Sequence, residues 1–163
     1  MNSNVKIEEY INDTGFSSKS PSPMCKIAFN SKLMAQDIID HGIVPRKSLI
    51  LEAPRIKEEF YFPYILGYFD GDGSIYKFNN DTEYCINFIG SHGTITWINQ
   101  VLNLNATLEQ RTLGSDIYYI RCGGIDKPYK VLKPLYSSVN THLDRKFQIF
   151  KELENVVLSR NTK

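Results

Sequence analysis

The pattern of apolar and polar positions changes its period several times along the chain, and each change predicts a new element. Between residues 56 and 71 apolar side chains recur every three or four positions, the period of an amphipathic helix, and Pro63 suits its first turn. Alternation with a period of two then predicts two antiparallel strands around a turn at residues 79–81. Residues 94–104 return to the helical period and predict a second helix.

The second half of the chain repeats this succession. Residues 106–113 and 116–123 alternate again and predict a second hairpin, joined through Gly114. Two helices are expected after it, at 126–139 and 142–158, because apolar residues recur there with helical spacing. The order from Phe60 onward is therefore αββαββαα. This order predicts an α+β fold class with a four-stranded antiparallel sheet.

The first 57 residues resemble the later part of this order. VKIEEY is similar to ATLEQR, CKIAFNS to DIYYIRCGG, KLMAQDIIDHGI to YKVLKPLYSSVN, and VPRKS to LDRKF. The matching order predicts an internal repeat whose first copy has lost its front half. Residues 1–57 are then a truncated first repeat, and residues 58–163 a complete one. Chance similarity between amphipathic segments is the alternative.

Composition sets broad limits on the class of protein. With 163 residues, of which 42% are hydrophobic and 23% charged, the chain can bury one ordinary core or two small ones. Its net charge of +1 argues neither for nor against nucleic acid, because it averages over faces that can differ strongly. Basic residues cluster at 46–47, 130–133 and 145–146. These clusters are compatible with one basic face or with a solvated mixture of charges.

The cysteines and the hydropathy pattern narrow the setting. Cys25, Cys85 and Cys122 are far apart and odd in number, so they predict reduced thiols rather than a zinc site or a disulfide framework. No stretch approaches the ~20 apolar residues of a membrane span, and the first residues lack the apolar core of a signal peptide. An intracellular protein is expected, in a bacterial or phage-host cytoplasm or in an organelle matrix, without a membrane partner.

Residues Ile65–Gly73, with the sequence ILGYFDGDG, carry the candidate chemistry. Gly67 and Gly71 are four positions apart on one side of the predicted helix, so a second helix can approach them closely. Asp72 falls at the end of this helix, where two crossing helices would bring two carboxylates together around a cation. A plain Gly/Asp turn is the bland alternative. A calcium loop of the EF-hand type fails, because Ile75 stands where its glycine belongs.

These nine residues, the αββαββα order after them and the repeated Arg-Lys pair before the last helix resemble the LAGLIDADG homing endonuclease family over essentially the whole chain. The resemblance implies a site-specific endonuclease, associated with an intron or intein, that hydrolyses double-stranded DNA. It implies Mg²⁺ or another divalent cation, bound by Asp72 and Gly71 at paired LAGLIDADG helices. Residues 1–57 then form a truncated first LAGLIDADG repeat.

The resemblance also carries roles over to further positions. It places a polar residue at the end of the second strand, where this chain has Gly90, so that this role would fall to Ser91 or His92. The predicted catalytic residues are Asp72, Lys146, its counterpart Lys47, and Ser91. The predicted DNA-binding residues are Ser74, Tyr76, Phe78, Asn80, Asn87, Gln110, Arg111, Arg121 and Arg145. The predicted helix interface consists of Ile65, Gly67, Tyr68, Asp70 and Gly71.

Only one signature helix is present, whereas the family's working unit needs two. A homodimer or a second LAGLIDADG-containing chain would supply the other; a degenerate product of a longer reading frame would lack it. The competing function is a DNA-binding protein or an RNA-splicing maturase of the same fold that has lost catalysis. A small-molecule or protein-interaction domain is the third class, and it requires the resemblance at Ile65–Gly73 to be coincidental.

Overall fold

The chain forms two compact units, residues 1–37 and 38–163, in a computed structural model that describes residues 6–12, 22–28, 30–45, 49–80 and 82–161. In the first unit, strands β1 (Glu8–Asn12) and β2 (Ser22–Lys26) pair antiparallel. Helix α1 (Lys32–Asp40) follows and runs into the second unit. A hairpin and a helix thus occur in the order that the truncated repeat predicts, and their origin in a repeat stays a prediction.

The second unit contains the predicted succession of helices and strands. A short 3-10 turn (Glu58–Phe60) leads into α2, and Pro63 lies in the first turn of that helix as expected. The αββαββαα order and the α+β fold class are confirmed. The elements are α2 (Tyr61–Asp72), β3 (Ser74–Phe78), β4 (Glu83–Ser91), α3 (His92–Val101), β5 (Glu109–Gln110), β6 (Ile117–Gly124), α4 (Asp126–Ser137) and α5 (Asp144–Asn161).

The four strands of this unit form one antiparallel sheet in the order β3-β4-β6-β5. Helices α2, α3 and α4 contact the two central strands. Alternate strand residues face these helices, so Ile86, Phe88 and Ile120 are fully buried against Ile65 and Phe69 of α2. The remaining strand residues lie on the other face, which stays open enough to expose Tyr76, Arg121 and Gly123. The sheet therefore separates a core from a free surface.

Strand β5 is much shorter than the predicted strand over residues 106–113. On the N-terminal side of the predicted strand, the backbone groups of Ala106 bond to a side chain instead of to β6. Its amide donates to Oδ1 of Asn99 at 3.1 Å, and its carbonyl accepts from Nδ2 of Asn99 at 2.9 Å. Because an amide side chain can satisfy a peptide group as well as a strand does, the ladder begins only at Glu109.

The turn of the first hairpin agrees with its sequence. Asn79 and Asn80 have φ angles of 50° and 54°, the left-handed conformation that asparagine tolerates better than most residues. The amide of Thr82 donates to the carbonyl of Asn79 at 3.2 Å and closes the turn. The register that follows pairs Ser74 with Asn87. Asparagine at the turn therefore helps to determine which side chains reach the open face.

Cys85 and Cys122 are buried, Cys25 is exposed, and all three are free thiols. Burial raises the pKa of the Cys122 thiol. Within the described ranges of the chain, no helix is long and apolar enough to cross a membrane.

Candidate nucleic-acid interface and carboxylate cleft

One side of α2 is open. A methyl group added at Gly67 or Gly71 would meet no atom of the described chain within 4 Å. Phe60, one turn before this side begins, is 51% exposed, and Pro63 and Tyr64 are only partly buried. The helix thus presents an apolar strip of low relief, of the kind that allows a second helix to approach closely.

The predicted interface residue Ile65 is not part of this strip. Its side chain is fully buried in the core of its own chain. Successive helix residues turn by about 100°, so Ile65, two positions before Gly67, lies on nearly the opposite side of the helix. The prediction for Ile65 was wrong, whereas Gly67 and Gly71 lie on the free side. Tyr68 and Asp70 flank that side and make contacts within the chain.

The C-terminal end of α2 is held by a buried lysine. Lys146, in the first turn of α5, is 2% exposed, and its ammonium donates to the carbonyls of Phe69, Asp70 and Gly73. The last carbonyls of a helix have no partner within the helix and carry partial negative charge, so a cation stabilises them. In return, Oδ2 of Asp70 accepts from the amide of Leu143, just before α5 begins, at 2.8 Å.

These hydrogen bonds indicate the role of Lys146. Its three donors are used by three carbonyls, and burial together with the nearby Arg145 lowers its pKa, against the opposing charges of Asp70 and Asp72. The placement favours a helix cap that fixes the direction of Asp72 over the predicted catalytic role. Its predicted counterpart, Lys47, lies outside the described residues.

Asp72 stands at the mouth of a cleft of about 190 Å³ at the end of strand β4. Its side chain is exposed, and within the described chain its carboxylate has no hydrogen bond or ion pair. Arg111, which follows β5, lines the same cleft. The structure therefore brings the predicted metal-binding carboxylate together with one predicted DNA contact. The cleft is lined by Leu51, Tyr68, Asp72, Ile89, Gly90, Ser91, Arg111 and Ile117.

Ser91 lines this cleft with its hydroxyl already engaged. The residue is 3% exposed, its hydroxyl donates to the carbonyl of Leu51, and it accepts from the amide of Thr94 at 3.4 Å. Ser91 is thus the N-cap of α3. Thr94 also donates to Leu51, at 2.9 Å. The placement therefore favours a structural role over the predicted catalytic one, and Leu51, which was assigned to the first repeat, forms a wall of the cleft.

Tyr68 is a cleft residue that the sequence analysis assigned only to the helix interface. Its hydroxyl donates to the carbonyl of Ile89 at 2.8 Å. Burial, with smaller effects of Asp72 and Tyr64, raises its pKa to about 12. Asp72 comes four positions later in the same helix, so the two side chains share one side of it. This spacing was visible in the sequence, but the position of β4 beside it was not.

The open face of the sheet carries most of the predicted DNA contacts. Ser74 pairs with Asn87, and Asn87 with Arg121, so these three side chains form a row across three strands. Oδ1 of Asn87 is buried and has no hydrogen-bond partner in the described chain. Arg121 lies over the ring of Tyr119 at 4.7 Å. Tyr76 and Phe78 extend the same face along β3, as predicted.

Three predicted DNA contacts lie elsewhere. Gln110 pairs with Tyr118 on the helix side of the sheet and bonds to its hydroxyl at 3.2 Å, so it does not lie on the open face. Asn80 belongs to the hairpin turn rather than to the strand. Arg145 is exposed in the first turn of α5, next to Lys146. The register of the very short β5 determines which face of the sheet Gln110 lies on. The periodicity of the sequence does not determine that register.

The donor set of one chain suits a divalent cation only in part. A carboxylate with free oxygens is the ligand that Mg²⁺ prefers, and such ions often keep several waters beside one or two carboxylates. Asp72 meets this requirement. The described residues contain no group of three acidic, histidine or cysteine side chains that could hold a metal alone. The carboxylate therefore fits a shared site better than a site within one chain.

No protein-family model matches the chain, and no curated protein does. Among solved structures it is similar to the LAGLIDADG homing endonuclease I-GzeII in complex with its DNA target, with a TM-score of 0.48 and 13% identity, over 82% of this chain and 46% of that one. It is similar to the homing endonuclease I-CvuI in complex with its target in the presence of 2 mM Ca, with a TM-score of 0.41 and 18% identity, over 60% and 70%. Both are likenesses of fold at low sequence identity.

Replacing Lys146 by methionine should lower the free energy of unfolding by about 3 kcal/mol, because three buried carbonyls lose a charged donor. Chemical denaturation measures the change. Lys130→Met, at an exposed position of α4, is the matched control and should change stability by less than about 0.5 kcal/mol. Equal effects of the two substitutions would show that the cap does not hold α2.

Proposed function

We propose that this chain binds double-stranded DNA through the open face of its sheet and cleaves it after pairing, through α2, with a second LAGLIDADG helix. The observation that carries the proposal is the combination of an open glycine strip with a free carboxylate at its end. Gly67 and Gly71 leave room for a partner, and Asp72 follows at the edge of the cleft. A homing-endonuclease-like hydrolase acting on phosphodiester bonds is the function that this geometry supports best.

A second copy of this chain is the simplest partner. Two copies present the same strip to each other, and twofold pairing is the commonest way to bury such a surface. Pairing brings together two copies of Asp72, which repel each other unless a cation lies between them.

Asp72, with the backbone of Gly71, would hold Mg²⁺ or another divalent cation. When bound, such an ion supplies charge stabilisation and an activated water for an in-line displacement at phosphorus. Arg111, in the same cleft, is placed to hold a phosphate as a charge-assisted donor. Lys146 keeps the end of α2 in the orientation that directs Asp72 toward this cleft.

The open face supplies donors and acceptors for bases. A β-ribbon fits the major groove, where arginine recognises guanine and asparagine recognises adenine by paired hydrogen bonds. Arg121 and Asn87 are neighbours on this face. Ser74 and Tyr76 add further polar groups along β3.

A non-catalytic DNA-binding protein or RNA-splicing maturase is the second candidate. It is favoured by the absence of a side chain at Gly90 and by the engagement of Ser91 and Lys146 in structural hydrogen bonds. Such a protein would keep the sheet and the paired helices and would bind nucleic acid without cutting it.

Replacing Asp72 by asparagine separates the two candidates. Duplexes bound by the wild-type chain are selected from a random pool and incubated with Mg²⁺. Wild-type protein should cleave them, and Asp72→Asn should cleave at least about 100-fold more slowly while keeping its affinity for the same duplexes, because several kcal/mol of transition-state stabilisation are lost. Asp116→Asn, an exposed aspartate in a turn, is the control. Binding without cleavage by the wild type supports the second candidate, and cleavage by Asp72→Asn refutes the metal assignment.

Alanine at Gly67 should have opposite effects on stability and on pairing. In the separate chain the methyl group meets nothing, so better helix propensity should raise the free energy of unfolding by up to about 1 kcal/mol. In the pair, the same methyl group holds the helices apart and should weaken self-association. Sedimentation with and without DNA measures the association. Asn155→Ala, exposed on α5, also improves helix propensity and should leave pairing unchanged.

Arg121→Ala should weaken duplex binding about 10-fold, the discrimination expected for one good base contact, and leave the dependence of affinity on salt nearly unchanged, because that dependence counts phosphate contacts. Fluorescence anisotropy at several salt concentrations measures both. Arg160→Ala, near the end of α5, removes the same charge away from the sheet and should change affinity less than about twofold. Similar losses in both variants would place the DNA on another surface.

A further inference from the structure

Near the end of strand β4, Gly90 has no side chain, but a polar group from another element lies in its place. A Cβ atom built on Gly90 would lie 2.0 Å from the hydroxyl oxygen of Tyr68 and 3.2 Å from the ring carbon that bears it. The space that a side chain of residue 90 would occupy is therefore filled from α2 by a phenol group. Gly90 and Tyr68 are a matched pair, since a larger residue at position 90 requires the hydroxyl to move.

The hydroxyl of Tyr68 uses its donor in a hydrogen bond, whereas its acceptor capacity is not used in the described chain. Its proton is donated to the carbonyl of Ile89 at 2.8 Å, which leaves the oxygen free to accept. Burial raises the pKa of this phenol to about 12, so it stays protonated, and the hydrogen bond to Ile89 sets its orientation. A water molecule in the cleft can thus donate one hydrogen to Tyr68 while it lies beside Asp72, which lines the same cleft, and keep its other hydrogen toward solvent.

The other polar groups near the cleft are committed elsewhere. Ser91 donates to the carbonyl of Leu51 and is the N-cap of α3. Lys146 donates to three carbonyls, two in α2 and one at its C-cap. Arg111 is a cation suited to phosphate rather than an acceptor for water. Among the described residues that line the cleft, Ser91 is nearly fully buried, whereas Tyr68 is only partly buried and keeps an oxygen that can accept a hydrogen bond.

We propose that Tyr68 is a positioning residue: its hydroxyl takes the place of the missing side chain at Gly90 and orients a water molecule beside Asp72 for attack on the scissile phosphate. This inference rests on the proposed function. In the step it serves, the water oxygen bonds to phosphorus and the bond from phosphorus to the leaving deoxyribose oxygen breaks. The water loses its proton to solvent, and the leaving oxygen takes one from solvent. Tyr68 transfers no proton.

A cycle of substitutions tests the pairing of the two residues without reference to activity. Gly90→Ala should destabilise the chain, because its methyl group collides with the hydroxyl of Tyr68. Tyr68→Phe removes the hydroxyl, so Gly90→Ala should cost much less in that background. Thermal unfolding of the four proteins measures this coupling. Independent, additive effects would show that the hydroxyl does not fill the place of the side chain.

A variant that supplies the lost hydroxyl from residue 90 of β4 tests the proposed role in positioning water. Tyr68→Phe should slow cleavage of the selected duplexes by about 10-fold or more and weaken Mn²⁺ binding, followed by electron paramagnetic resonance, because the bound water loses an outer partner. Its affinity for DNA should stay within twofold of the wild type. The double variant Tyr68→Phe/Gly90→Ser, in which serine replaces the lost hydroxyl, should recover both the rate and the Mn²⁺ affinity. Tyr61→Phe, on the same helix, is the matched control.

The outcomes distinguish this inference from the function on which it rests. If Tyr68→Phe cleaves like the wild type while Asp72→Asn is inactive, the nuclease stands and the inference fails. If the serine variant recovers neither rate nor Mn²⁺ affinity, the part of Tyr68 is structural only and the inference fails again. A wild-type chain that binds but never cleaves the selected DNA overturns the proposed function, and the inference with it.

Discussion

The site depends on the reciprocal hydrogen bonds that charged side chains form between the end of α2 and the start of α5. Lys146 satisfies carbonyls at the end of one helix, and Asp70 satisfies an amide before the other. Both contacts place a charge where the helix dipole favours it, in surroundings that exclude most water. A buried ammonium is costly unless it is fully bonded, so the arrangement tolerates little variation in the direction of α2. The position of Asp72 at the end of α2 therefore depends on these hydrogen bonds.

Much of the fold follows from patterns of two kinds in the sequence. Helical spacing predicted α2 and α5, and strict alternation predicted β4 and β6, because each of these elements buries one side against the same core. In β4, Ile86 and Phe88 face the helices, and Asn87, a predicted DNA contact, faces outward. The length of β5 could not be read from alternation, since a distant asparagine side chain on α3 competes with β6 for the backbone of Ala106.

The candidate site was predictable to a smaller extent. Asp72, Gly67 and Gly71 follow from a nonapeptide whose residue types and spacing have a direct physical meaning. Lys146 and Ser91 were found as residues near the site, but their hydrogen bonds join them to groups 77 and 40 positions away in the chain. Contacts over such separations leave no trace in a periodic pattern. The partnership of Tyr68 with Gly90 belongs to the same class, because it depends on the distance between a helix and a strand.

The carbonyl of Leu51 ties the residues just before α2 to the start of α3. It is the shared acceptor of Ser91 and Thr94, both of them buried. A chain shortened to begin at α2 would leave these two hydroxyls without their acceptor at the edge of the cleft that Asp72 lines. The smallest stable form of this unit therefore includes Leu51, although that residue lies outside every helix and strand of the sheet layer.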